Sequence, residues 1–170
     1  MYPKPLIDYF IYFHCYRDYF ECHEVLEEYW KEEGNNNILW VGFIQLAVAM
    51  YHHRRGNFQG AKKVNTKLKK ILEKEKEQLI FLGLDYHKFI QLLQEKQEEI
   101  LHQKPYSSIV IPIAKETLQE ECTKKTKELG VIWNQVNHDI RDEIIDKHKL
   151  RDRSDIIEER KKQLKENNKK

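Results

Sequence analysis

The chain has 170 residues, of which 40% are hydrophobic and 34% charged, and its formal net charge is +2. That length indicates one domain plus an extension. The near balance of charge argues against a nucleic-acid partner. Only 6 Gly and 4 Pro are present, which argues against the many turns of an all-β fold.

Nothing in the sequence indicates a secretion signal or a membrane span. The first ten residues, MYPKPLIDYF, lack the basic segment, apolar run and cleavage site of a signal peptide. The most apolar run, residues 38–51, would extend about 21 Å as a helix, short of the roughly 30 Å hydrocarbon core. Cys15 and Cys22 would lie about 10 Å apart on one helix, too far for a disulfide. These features predict a cytoplasmic protein with reduced thiols.

Two helices are predicted first along the chain. The segment RDYFECHEVLEEYWKEE is the first, with Asp18 as its N-cap, and GNNN at residues 34–37 ends it. The second begins at residue 38 and runs to about residue 55. Gly56 fits the position after that helix, and Asn57 fits the N-cap of the next one.

Two more helices complete the predicted bundle. Apolar spacing predicts a third helix through residues 62–82 and a fourth over residues 86–101, separated by the turn GLD. Because the connections are short, consecutive helices should be antiparallel. The fold class is therefore all-α, a compact antiparallel helical bundle with a helical C-terminal extension.

The character of the chain changes after residue 101. HQKPYSSIVIPI, at residues 102–113, has two prolines and a β-branched run, which predict extended or looping structure. Residues 114–130 and 131–170 are both helical in pattern. We therefore divide the chain into a bundle at residues 1–102 and an extension at residues 103–170.

An imidazole and a carboxylate fall on the face of the first helix that should meet the core. An α-helix advances about 100° per residue. Tyr19, Leu26 and Trp30 lie within about 60° of His23, and so does Glu27. An aromatic stripe of this kind is typical of a core-facing surface. We therefore expect His23 and Glu27 to point inward.

The second helix carries a matching stripe of small and polar residues. Its Gly and Ala positions would let another helix approach closely, and we expect the stripe to meet His23 and Glu27. Arg55, one turn beyond His52, should reach the same cluster, whereas His53, about 100° away, should be exposed. The stripe has spacings of three and four residues and consists of Gly42, Gln45, Ala49, His52 and Gly56.

The polar cluster has two interpretations. An unpartnered buried polar group costs about 1–3 kcal/mol, so these side chains must meet each other, water or a ligand. In the first interpretation they form a network that fixes helix register. In the second they line a cleft suited to proton transfer or to a divalent metal, with His23, Glu27 and His52 as candidate ligands beside Glu24. No other cofactor is predicted.

Known catalytic motifs are not matched. HEVLE has the His-Glu pair of a zinc-protease helix, but Glu27 stands where that motif has its second histidine. Neither helix offers the Glu-x-x-His pattern of ferritin-like proteins. RRGN, at residues 54–57, suits a phosphate contact, but helix ending and capping is the favoured role. Whether the protein is an enzyme stays open.

The spacing F-x-x-H-E-x-L-E-x-x-W, followed by G-x-I-Q-x-A-x-A-x-x-H-x-x-R-G-N-x-x-G-A, resembles domain-of-unknown-function family 309 of bacteria and archaea. The resemblance covers about residues 13–72. It implies a compact all-α bundle and a cytoplasmic protein, but no established activity. The polar motif positions are His23, Glu24, Glu27, Gln45, His52, Arg55 and Asn57.

Two functions follow from these observations. The first is binding of a small ligand or metal at the interhelical cluster. The alternative is a non-catalytic scaffold whose cluster is structural and whose C-terminal helices bind a protein partner. VIWNQV at residues 131–136 and DIIEERKKQL at residues 155–164 offer apolar positions for such a partner. Basic and acidic residues alternate in the tail, which indicates a solvated helix face rather than a nucleic-acid site. The oligomeric state is not determined.

Overall fold

The fold is helical in the computed structural model, which describes residues 2–135 and 142–145. Within those residues, β pairing is limited to one isolated bridge between Leu84 and Ile113, so the all-α class is confirmed. Among the described helices, none combines the length and apolar character needed to cross a bilayer. The helical elements are α1 Lys4–Ile11, a π-helical turn Tyr12–Tyr16, α2 Tyr19–Glu32, α3 Ile38–Arg54, α4 Phe58–Lys74, α5 Lys76–Leu82, α6 Tyr86–Leu101, α7 Glu116–Leu129 and α8 Asp142–Ile145.

The helix ends form where the capping residues predict. The Asp18 carboxylate accepts a hydrogen bond from the Glu21 amide at 3.1 Å, and Asn57 Oδ1 accepts from the Gly60 amide at 3.0 Å. Gly56 has a φ of +77°, a conformation that glycine adopts without strain. A Cβ atom at residue 60 would lie 2.6 Å from Asn57 Nδ2. Glycine at residue 60 therefore makes room for the capping amide.

Aromatic side chains fill the centre of the bundle. The rings of Tyr9, Phe10, Phe43 and Phe89 are fully buried, and each such burial contributes roughly 1.5–3 kcal/mol. The Tyr9 hydroxyl also donates to the Phe43 carbonyl at 2.6 Å. Around these rings α3 packs between α2 and α4, while α1 packs on α2 and α7. The core therefore fixes α3, which carries two of the predicted site residues, Gln45 and His52.

Three sequence-based boundaries differ from the structure. The predicted third helix is divided at Glu75 into α4 and α5. Residues 4–11, for which no helix is predicted, form α1, and five of them are buried. The predicted helix at residues 131–170 does not begin at residue 131, because Gly130 ends α7 with a φ of +66° and residues 131–135 are not helical, with a turn at residues 133–134. Apart from residues 142–145, the remainder of that prediction lies outside the described residues.

The cysteines are free, and Cys15 and Cys22 do not share a helix. Cys15 belongs to the π-helical turn and Cys22 to α2. The chain changes direction between them at Arg17, whose φ is +51°. Cys15, Cys22 and Cys122 are all buried and unpaired.

The described part of the extension contributes to the hydrophobic core. Ile109, Ile111, Leu118 and Cys122 are at most 7% exposed and belong to the same buried cluster as the bundle residues. The division between residues 102 and 103 stays a prediction. A truncation after residue 102 would nevertheless remove part of the core.

His14 joins this extension to the bundle as a neutral imidazole. Its Nδ1–H donates to the Phe10 carbonyl at 2.8 Å, and its Nε2 accepts from the Ile111 amide at 3.0 Å. The Trp133 ring stacks on it with centroids 4.0 Å apart. Burial lowers the pKa of His14 from 6.5 to about 3, and the Arg17 charge acts in the same direction against the Phe10 hydrogen bond.

The buried His14 predicts a loss of stability in mild acid. Between pH 6.5 and about 3, His14 is protonated in the unfolded chain but not in the folded one. The free energy of unfolding therefore falls as the pH falls. Replacing His14 by Gln, which can donate and accept at similar positions, should remove about 3 kcal/mol of the change between pH 7 and pH 4. Urea unfolding at several pH values measures this difference. His87→Gln, at an exposed histidine of α6, is the control. An equal pH dependence in wild type and His14→Gln would contradict the assignment.

Candidate functional site

The first turns of α2 bring three predicted site residues together. His23 Nε2 lies 2.9 Å from Glu27 Oε2, and His23 Nδ1 lies 3.3 Å from Glu24 Oε1. One ligand atom from each of the three residues lies within 4.8 Å of the other two. Lys31 also approaches the other Glu27 oxygen, at 3.3 Å. This trio, His23, Glu24 and Glu27, has the spacing of a metal-binding group.

The trio lies at the rim of the bundle rather than in its core. The His23 and Glu27 side chains are 31% and 32% exposed, so the prediction that they point inward is wrong. The buried residues of α2 are Tyr19, Cys22 and Leu26. Because Cys22 lies about 100° from His23 around the helix, the buried face is rotated away from the trio. Its ligand atoms are consequently accessible to a solute.

The His23 ring has a carboxylate oxygen near each of its two nitrogens. A neutral imidazole carries one N–H, so it can donate to only one of two flanking carboxylates. Both of its nitrogens nevertheless lie within 3.3 Å of a carboxylate oxygen. A cation at the second nitrogen would make both contacts favourable.

The small-residue stripe of α3 meets α4 at its N-terminal end. A Cβ atom at Gly42 would lie 3.1 Å from Ile71 Cγ2 and 3.2 Å from Leu72 Cδ2. Glycine does permit a close helix approach, as the sequence predicts. The prediction that this part of the stripe meets α2 is wrong, because the neighbour there is α4. Gln45, one turn further along, is half-buried.

His52 and Asn57 form a pair at the C-terminal end of α3. Asn57 Oδ1 caps α4, so its Nδ2 donates to His52 Nδ1, at 3.2 Å. Burial, followed by the Arg55 charge, lowers the pKa of His52. The Arg55 guanidinium lies over the Tyr51 ring at 5.4 Å. His52 is therefore a neutral imidazole near pH 7, and it is not a member of the metal-spaced trio.

The packing of α2 against α3 determines the positions of these residues along the axis of the bundle. Arg54 Nη1 donates to the Arg17 carbonyl at 2.7 Å, which places the end of α3 beside the start of α2. With a rise of about 1.5 Å per residue, Gln45 falls at a level between His23 and Glu27. By the same measure His52 falls roughly 6 Å beyond His23 along the axis.

His53 is buried, so the prediction that it is exposed is wrong. It is 2% exposed, and its Nε2–H donates to the Lys104 carbonyl at 2.9 Å. Its ring meets Phe58 and Tyr106 edge-on. The angular positions of residues around α3 do not reveal which side is exposed, because the extension, at Lys104, covers the side that carries His53.

A second polar cluster, which the sequence does not reveal, is buried between α2, α3 and the extension. The Arg54 guanidinium lies 4.5 Å from the Tyr19 ring centre, and the Tyr19 hydroxyl is hydrogen-bonded to the Tyr106 hydroxyl. Arg17 is fully buried beside them. Arg54 is thus enclosed by aromatic rings, which supports the structural role of the RRGN segment over a phosphate contact. The only sequence signal is the presence of charged residues within an aromatic-rich segment.

Comparison with known proteins identifies the family. The family described as "Domain of unknown function (DUF309)" matches residues 6–64. The chain is 47% identical over 166 residues to "Uncharacterized protein YpuF" of Bacillus subtilis (strain 168). The aligned region covers 96% of this chain and 95% of the relative. The chain belongs to the DUF309 family. No solved structure matches it.

The DUF309 match contains all seven predicted site residues, yet the similarity to YpuF extends through nearly the whole chain. Both descriptions leave the function open.

The predicted protein partner stays a prediction. Of its described apolar residues, Ile132 is 70% exposed, whereas Trp133 packs on His14. The second predicted segment, residues 155–164, lies outside the described residues.

The Asn57 amide predicts how His52 titrates. In Asn57→Asp a carboxylate keeps the cap on α4 but replaces the donor to His52 with a negative charge, which favours the imidazolium. The pKa of His52 should therefore rise, as measured by an NMR titration of its ring protons. Asn57→Ser, which keeps a capping oxygen without a charge, is the matched control. An unchanged or lower His52 pKa in Asn57→Asp would show that the amide does not set its protonation.

Proposed function

We propose that this DUF309 protein binds a divalent metal ion through His23, Glu24 and Glu27. The observation that carries the proposal is that one ligand atom from each of these residues lies within 4.8 Å of the other two. Imidazole together with carboxylate is a donor set used for Zn²⁺, Mn²⁺ and Fe²⁺. The half-exposed position of the trio supports access to a metal ion from solvent.

The donor geometry supports a site with open positions. A metal binds one of the two His23 nitrogens at about 2.0–2.1 Å and carboxylate oxygens at about 2.0–2.2 Å, and one ligand atom from each of the three residues lies within 4.8 Å of the other two. Three protein ligands leave room for water or a small molecule on the metal. Lys31, which is 63% exposed, can leave Glu27 without burying its charge.

The proposal extends to the neighbouring face of α3. Gln45 falls at the level of the trio, and His52 with Arg55 lies at the same end of the hairpin. A neutral His52 and a cationic Arg55 are suited to an anionic or hydrogen-bonding group on a metal-bound ligand. Asn57 holds the His52 ring. We expect these four residues to tune ligand binding rather than to bind the metal.

We also propose that the protein acts in the cytoplasm. Its three cysteines are free and buried, and burial raises the pKa of Cys15 to about 11 and that of Cys122 to about 12. Thiols of this kind are typical of proteins in reducing compartments.

Isothermal titration of the full chain with Zn²⁺ and Mn²⁺ tests the metal proposal. Glu27→Gln removes one charged ligand and keeps the shape of the side chain, so the affinity should fall by about tenfold or more. Glu28→Gln, at an exposed carboxylate of the same helix, should leave the affinity unchanged. Bound metal should also raise the melting temperature of the wild type.

Two results would contradict the proposal. One is the absence of saturable metal binding by the folded wild type. The other is equal affinity in wild type and Glu27→Gln, both folded by circular dichroism. Loss of stability in Glu27→Gln without any metal binding by the wild type would favour the alternative, in which the trio serves only to fix the helix.

A further inference from the structure

Residues 104–111, here called the strap, cross the bundle as a non-helical segment. Their backbone is held by side chains of the bundle rather than by a neighbouring strand. Four polar side chains, each at most 4% exposed, supply these contacts. They belong to His14, Arg17, His53 and Lys96.

The contacts follow the strap in order. His53 Nε2 donates to the Lys104 carbonyl at 2.9 Å, and Lys96 Nζ donates to the Ser107 carbonyl. Arg17 Nη1 donates to the Ile109 carbonyl at 2.6 Å. His14 Nε2 accepts from the Ile111 amide at 3.0 Å. All four bonds go to main-chain atoms, which every amino acid except proline offers in full.

The side chains of residues 109–111 alternate between the bundle and solvent. Ile109 is 7% exposed and Ile111 is fully buried, whereas Val110 between them is 36% exposed. An extended chain places successive side chains on opposite sides in this way. Main-chain bonds combined with pockets for alternate side chains are also the means by which sheet edges bind extended peptides. Here the side chains of helices take the place of the sheet edge.

The end of the strap nearest α6 is joined to the bundle by a locally strained turn. Gln103, just before the strap, has a φ of +52°, a conformation that costs a residue other than glycine free energy. Residues 101–105 are exposed. Few apolar contacts therefore hold this turn in place, which favours detachment of the strap ahead of global unfolding.

We propose that the surface formed by His14, Arg17, His53 and Lys96 is a binding groove for an extended peptide with apolar residues at alternate positions. The strap occupies this groove within the same chain. It leaves the groove without unfolding of α2 and α3, and a peptide of the same pattern then binds in its place. The groove is separate from the half-exposed trio of α2.

A labelled peptide corresponding to residues 103–113 tests the groove by fluorescence anisotropy. In the wild type the strap is tethered beside the groove and competes with the peptide at a high effective concentration, so the peptide should bind weakly. In the full chain carrying Ile109→Asp and Ile111→Asp, two buried charges should release the strap. The peptide should then bind about tenfold or more tightly than it binds wild type.

Two variants provide the controls. Val110→Asp places the same charge at the exposed position of the strap and should behave like the wild type. Adding Arg17→Met to the strap-released variant should weaken peptide binding about tenfold, because it removes a charged donor from the groove. A folded strap-released variant that does not bind the peptide would overturn the proposal, as would equal binding by the Val110→Asp chain.

Hydrogen exchange of the wild type supplies a test that needs no mutation. The Ile111 amide donates to His14, whereas the amide of Ala47 lies in the buried middle of α3. Release of the strap by itself predicts that the Ile111 amide exchanges at least about tenfold faster than the Ala47 amide after correction for intrinsic rates. Equal protection of the two amides would overturn the proposal, because the strap would then leave only when the whole molecule unfolds.

Discussion

The structure depends on how the chain accommodates the buried guanidinium of Arg17. This side chain is fully buried and donates to the Ile109 carbonyl, the Gln135 carbonyl and the Asn134 side-chain oxygen. Its own carbonyl accepts from Arg54. Leaving such a charge buried without its partners costs about 3–5 kcal/mol. One residue therefore ties the junction before α2, the end of α3 and the extension to each other.

Two polar regions of the described bundle differ in their properties. The trio on α2 lies outside the aromatic core and offers half-exposed ligand atoms, as a metal site requires. The groove beneath the strap is buried, and its polar groups are matched to the main chain of one segment. Three of its residues, His14, Arg17 and His53, belong to the part of the chain that matches DUF309, whereas the strap lies outside that match. YpuF is similar over nearly the full length, so the extension is shared with this relative.

The sequence predicts features that depend on neighbouring residues and misses those that depend on distant ones. Asp18 and Asn57 cap their helices as expected, because a cap needs only the next three residues. His23 and Glu27 come together because residues four apart share a helix face. The directions of His53 and Gly42 cannot be deduced, because α3 is apolar on nearly every side and buries residues all round. Arg17 is invisible as a connecting residue, since its partners lie more than 90 positions away.

Limited proteolysis with chymotrypsin, with the first cut identified by mass spectrometry, tests most directly whether Arg17 holds the extension on the bundle. In Arg17→Met the first cut should fall after Tyr106, and it should appear about tenfold faster than in the wild type, because cleavage follows the population of the open form. Arg55→Met, at a half-exposed arginine of the same bundle, should be cut like the wild type. An unchanged rate at Tyr106 in Arg17→Met, or a first cut within α2 or α3, would contradict this account.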